Sequence, residues 1–142
     1  MHSVKDGDRV YRFDGELLAH STSRSNGKGR WVEFNLYRTA RGGYVLSRTG
    51  VTLFYHFGAC PVVRRNNLDP LPAETIPTNS VPCPDCRPDT QTDTLLYPEH
   101  NRYWAQVCEN PEGVISSLKQ RDAHGTTYLT DVSRILLEQA VS

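Results

Sequence analysis

The tetrapeptide Cys83-Pro84-Asp85-Cys86 constrains this chain more than any other feature. A C-x2-C turn puts two sulfurs on one tight loop of backbone, within reach of a single ion. Upstream, His56-Phe57-Gly58-Ala59-Cys60 sets a second pair at H-x3-C spacing after a predicted strand. Together the two pairs supply the four soft-to-borderline ligands that tetrahedral Zn2+ takes. The spacing therefore predicts a structural zinc site made by His56, Cys60, Cys83 and Cys86, stapling a long loop to a sheet. The fourth place is open to three candidates: His56, Cys108 and His100. His56 is preferred because it stands just before the loop. If four protein ligands close the shell, no position remains for water, and the metal is structural rather than catalytic. The competing reading is a set of free thiols. A thioredoxin-like redox pair fits poorly, because prolines at 82, 84 and 88 make a rigid turn where such a pair would open a helix.

Size does not force a metal on the chain. With 142 residues it fits one domain, and a domain this long buries roughly two thirds of its unfolded surface. Hydrophobic content of 37% and charged content of 23% belong to a globular chain rather than a disordered one. No apolar run is long enough to cross a bilayer. The start, Met1-His2-Ser3-Val4-Lys5-Asp6, lacks the apolar core of a signal peptide. The expected compartment is the cytoplasm, where four cysteines are reduced or metal-bound rather than paired.

Glycines and aromatics crowd the first 58 residues, which is strand and turn composition. Arg9–Phe13 and Glu16–Thr22 flank Asp14-Gly15, a pair that predicts a tight hairpin. Trp31–Thr39 is the clearest strand, with Val32, Phe34 and Leu36 on its core phase. Tyr44–Arg48 and Val51–Phe57 continue the pattern. Eight of the nine prolines fall from Pro61 to Pro98, so this stretch reads as an irregular excursion that a metal would hold in order. Arg102–Cys108 is a further strand. Asn110-Pro111-Glu112 offers a cap, a proline at the first helical position and an early acid, predicting a helix to about Gln120. Thr127 or Thr130 caps a last helix whose stripe is Leu129, Val132, Leu136 and Ala140. The expected fold is a single α+β domain. It comprises an antiparallel meander of about five strands (1–58), a zinc-anchored Pro-rich loop (59–98), and a strand with two short C-terminal helices (99–142).

Charge is uneven. Residues 1–67 carry 11 Lys/Arg against 5 Asp/Glu, and residues 68–142 carry the reverse, so the halves are +6 and −6. Attraction between the halves explains this as well as an anionic partner does. Trp31 and Tyr37 sit on the phase of their strand opposite the core. Arg24, Lys28, Arg30 and Arg41 lie close by in sequence. This combination suggests bases stacked on rings with phosphates held by cations. The simpler explanation is that the C-terminal helices cover the phase. The established RNA and zinc-finger signatures are missing from the sequence. So are the P-loop, the dinucleotide glycines, G-x-S-x-G and H-E-x-x-H. The zinc-deaminase pattern is half met by Pro82–Cys86 but fails upstream, where Gly58 stands in the place of glutamate. Glu99-His100-Asn101-Arg102 reads as a polar turn before a strand. The leading expectation is a non-enzymatic, zinc-stabilised protein that binds another protein. Nucleic-acid binding through the basic aromatic half is second, and a metal-dependent enzyme third.

Overall fold

The computed structural model describes residues 1–25, 29–86, 95–121 and 123–141. Among them the chain forms twelve strands and three helices, so it is sheet-rich, and the strands exceed the five expected. The first unit comprises Met1–Arg24, Val32–Gly50 and Arg102–Ser142, and the second Ser25–Trp31 and Val51–Asn101.

In the first unit, β1 (His2–Asp6) and β2 (Arg9–Phe13) make an antiparallel hairpin. Its turn is at Gly7, whose φ of 59° is left-handed, not at Asp14-Gly15 as the sequence suggests. Gly15 instead begins β3 (Gly15–Thr22), opposite Thr39 of β4 (Arg30–Thr39). A Cβ at Gly15 would lie 2.1 Å from the Arg38 carbonyl oxygen, so close backbone approach requires the glycine there. β5 (Tyr44–Thr52) and, later, β10 (Arg102–Cys108) complete an antiparallel sheet in the order β10-β5-β4-β3.

Side-chain alternation gives this sheet two covered faces. Phe34, Leu36 and Leu46 point to α2 (Pro111–Leu118) and α3 (Asp131–Val141), packing with Val114, Leu118 and Leu136. Leu46 and Leu136 are completely buried, each contributing about 1.5–3 kcal/mol. The opposite face carries Val45, Ala105 and Tyr37, and the β1–β2 hairpin covers it with Val4, Tyr11 and Phe13. The cover over Tyr37 is thus the N-terminal hairpin rather than the C-terminal helices. Both helices start as their sequences predict. Gly113 N–H donates to Asn110 Oδ1 at 2.9 Å, and Ser133 N–H donates to Thr130 Oγ1 at 3.3 Å. Two-residue strands β11 (Gln120–Arg121) and β12 (Thr127–Tyr128) pair between the helices, a hairpin the sequence did not signal.

The second unit is built on β6 (Phe54–His56), separated from β5 at Leu53. Then follow α1 (Pro61–Arg65), β7 (Leu71–Pro72), a 3-10 turn at Ala73–Thr75, β8 (Val81–Pro82) and β9 (Leu95–Pro98). The sheet order is β7-β9-β6-β8, with β8 parallel to β6 and the other pairs antiparallel. The Pro-rich stretch is therefore partly regular, and its short strands flank β6 on both edges.

Candidate metal centre

His56 ends β6, and local backbone contacts bring the other three candidates to it. Parallel pairing places Val81 N–H on Leu53 O and Cys83 N–H on Tyr55 O, both at 2.9 Å, which brings Cys83 beside His56. The C-x2-C turn closes with Cys86 N–H on Cys83 O at 3.1 Å. Past the end of β6 the chain doubles back, with Cys60 N–H on Phe57 O at 3.0 Å, and Cys60 then stands at the N-cap position of α1, its side chain making no capping bond. Pro61, at the first position of that helix, needs no partner for the N–H it lacks. These three local devices put the ligand atoms of His56, Cys60, Cys83 and Cys86 within 4.8 Å of one another.

The distances suit a tetrahedral ion. His56 Nδ1 is 3.4 Å from both Cys60 Sγ and Cys86 Sγ. Metal bonds of about 2.3 Å to sulfur and 2.0–2.1 Å to nitrogen, at tetrahedral angles, demand an N···S edge of about 3.6 Å. The four residues could therefore hold a metal with little movement. None of the four cysteines is in a disulfide. Burial, reinforced by hydrogen bonds to Cys60 and Cys83 and by the proximity of Cys83, pushes the Cys86 thiol up to about 12; the Phe57 backbone opposes this. Sulfur anions so crowded repel one another, and a divalent cation removes that repulsion by binding them as thiolates.

The other side of His56 is equally defined. Its ring is 1% exposed, and Nε2 lies 2.7 Å from Glu99 Oε2. Glu99 follows β9 and is aligned by its own N–H donating to Phe54 O at 2.9 Å. Its carboxylate accepts from Arg30 Nη2 at 2.5 and 2.8 Å, from Arg30 Nε at 3.2 Å and from Thr52 Oγ1 at 3.1 Å. Arg30 in turn lies over the Phe54 ring, 4.7 Å from its centre. Burial works to raise the Glu99 carboxyl, but the hydrogen bonds from His56, Arg30 and Thr52 and the Arg30 charge outweigh it. They hold the group below the usual carboxylate range.

The alternative ligands lie elsewhere. Cys108 is buried in the first unit, 4.0 Å from Ser117 Oγ, and His100 is exposed. The residues suggested for nucleic acid divide between the units. Arg24, Tyr37 and Arg41 belong to the first, Arg30 and Trp31 to the second, and Lys28 lies outside the described residues. Tyr37 is half-buried, with ring centres of His2 at 4.8 Å and Phe13 at 5.2 Å, and burial raises its hydroxyl pKa. Arg30 is occupied by Glu99. Trp31 is half-buried, and Arg24 and Arg41 are exposed. Glu99 is the site residue that sequence reasoning missed. No local pattern marks it, because it meets His56 only through the pairing of β9 with β6. Among the described residues, no helix is long and apolar enough to cross a membrane. Compared with protein-family models, with curated proteins and with solved structures, the chain finds no match.

Proposed function

We propose that this is a zinc-stabilised, non-enzymatic binding protein whose metal organises the second unit. The observation that carries the reading is the convergence of His56, Cys60, Cys83 and Cys86 within 4.8 Å. Three sulfurs and one imidazole are a preferred zinc set, and four protein ligands leave no open coordination position for water. That supports a structural metal over a catalytic one.

A protein is the partner that this reading names. Arg30 is already paired with Glu99, and Tyr37 is packed against His2 and Phe13. Both are poorly disposed to hold phosphates or bases. Apolar side chains meanwhile stand exposed on three strands of the first unit: Val10, Leu17 and Val107.

Elemental analysis of protein purified without chelator is expected to give one zinc per chain. A metal content near zero, with all four thiols titrating freely, would refute the metal reading. For the partner, single-stranded oligonucleotides are titrated at several salt concentrations. Binding whose affinity falls steeply with salt reports released counterions, and would replace the protein partner by a nucleic acid.

A further inference from the structure

A histidine can bind a metal through either ring nitrogen, and the nitrogen used is set by what holds the other. In the second unit both sides of the His56 ring are defined. Nδ1 faces two sulfurs at 3.4 Å, while Nε2 meets Glu99 Oε2 at 2.7 Å. The ring is 1% exposed, so water is poorly placed to replace the carboxylate as a partner. Glu99 cannot readily turn away either. Both its oxygens are engaged, one by Arg30 and Thr52 and the other by Arg30 and His56.

The topology serves the same end. β6 carries His56, its parallel neighbour β8 leads into Cys83, and its antiparallel neighbour β9 leads into Glu99. One three-residue strand thus receives a sulfur ligand from one edge and a carboxylate from the other.

We propose that Glu99 is the positioning residue of the metal centre: its carboxylate, clamped by Arg30 and Thr52, fixes His56 with the proton on Nε2 and makes Nδ1 the metal-binding nitrogen. The inference rests on the metal reading above. It assigns the orientation of the histidine, and part of the metal affinity, to a residue outside the ligand set. Arg30 acts one step further out, by holding the carboxylate.

The test loads the full chain with Co2+, whose visible spectrum reports tetrahedral sulfur coordination, and measures affinity by competition with a chelator. A zinc-loaded sample with 15N-labelled histidine gives the ligating nitrogen by long-range 1H–15N NMR. The wild type is expected to bind one metal through Nδ1 of His56, with a slowly exchanging Nε2–H. Glu99→Ala is expected to lower affinity about 10- to 100-fold, to shift the cobalt bands and to free the Nε2 proton. Glu99→Gln keeps the size but must turn an amide N–H2 toward Arg30 or His56, so it is expected to weaken binding as well. Arg30→Ala should give a smaller loss with Nδ1 ligation retained. A wild type that takes up no metal refutes the metal reading itself. A wild type that binds through Nε2 overturns the role of Glu99 while leaving the metal reading intact, and needs no variant to fold. So do Glu99 variants with wild-type affinity and spectrum.

Discussion

Stripping the metal should unfold the second unit and leave the first in place. Among the described residues, the buried hydrophobic side chains of the second unit are Leu68 and Cys83, and Cys83 is itself a candidate ligand. Burying one leucine contributes about 1.5–3 kcal/mol, whereas fixing one residue's backbone costs about 1–2 kcal/mol. That leucine orders a residue or two, not a segment running from Val51 to Asn101. Structural zinc in small domains supplies about 10–16 kcal/mol, and a 1 μM ligand corresponds to about 8.2 kcal/mol. At about 1 μM free zinc the loaded unit then lies about 2–8 kcal/mol below the stripped one. Removal of that much is comparable to the whole stability of a domain, about 5–15 kcal/mol. Hydrogen exchange reads the outcome residue by residue. The amides of Val81, Cys83 and Glu99, bonded to Leu53, Tyr55 and Phe54, should lose protection on chelation. Those joining β4, β5 and β10 in the first unit should keep it. If elemental analysis confirms that the metal is gone and those three amides stay protected, the second unit holds itself and the reasoning is wrong.

Other perturbations separate the two units and the ligand set. His56→Ala should cost the zinc content, while His100→Ala and Cys108→Ser leave it at one per chain; equal losses from all three would show that the ligand set is misassigned. Leu136→Ala, at a side chain with no exposed surface, should lower stability to denaturant by about 2–5 kcal/mol without changing the metal content. Gly15→Ala should be destabilising because its Cβ would meet the Arg38 carbonyl, whereas Gly50→Ala, with no neighbour nearer than 3.6 Å, should be mild; equal melting temperatures would refute the steric account. Burial raises the Tyr37 hydroxyl above its ordinary value of 10.0, so the neutral phenol's stabilisation is complete below about pH 10. It is lost as pH climbs through the folded-state value, and wild type should lose stability there relative to Tyr37→Phe in denaturant melts.

Local physics was the legible part of this chain. The alternation of Val32, Phe34 and Leu36 identified the helix-covered face of β4 because a strand repeats every two residues. Asn110 and Thr130 marked helix starts because a side-chain oxygen must satisfy an otherwise unpaired N–H. The clustering of His56, Cys60, Cys83 and Cys86 was legible for a related reason: H-x3-C and C-x2-C are each short enough for one turn to aim both side chains at one point. Pairing between distant strands was not legible. Asp14-Gly15 has the composition of a tight turn, yet Gly7-Asp8 makes the first hairpin, and Gly15 serves the close approach of β4. The face carrying Tyr37 is polar in β4 alone, and only the fold of β1 and β2 over it reveals a second small core.

Glu99 shows the same limit at the metal centre. β6 falls within the strand expected at Val51–Phe57, but its two- to four-residue partners β7, β8 and β9 carry too little periodicity to read and left no trace beyond a loss of helix and an excess of proline. Glu99 stands 43 residues from His56, and the register of Tyr97 against His56 and Pro98 against Tyr55 is what joins them. Spacing within a turn names the atoms that can touch a metal. Register between strands decides which carboxylate reaches the far side of the histidine, and so which nitrogen is left for the ion. The first property belongs to four or five consecutive residues and survives in the sequence. The second belongs to the assembled sheet, which is why the four clustered residues were visible before the fold and Glu99 only after it.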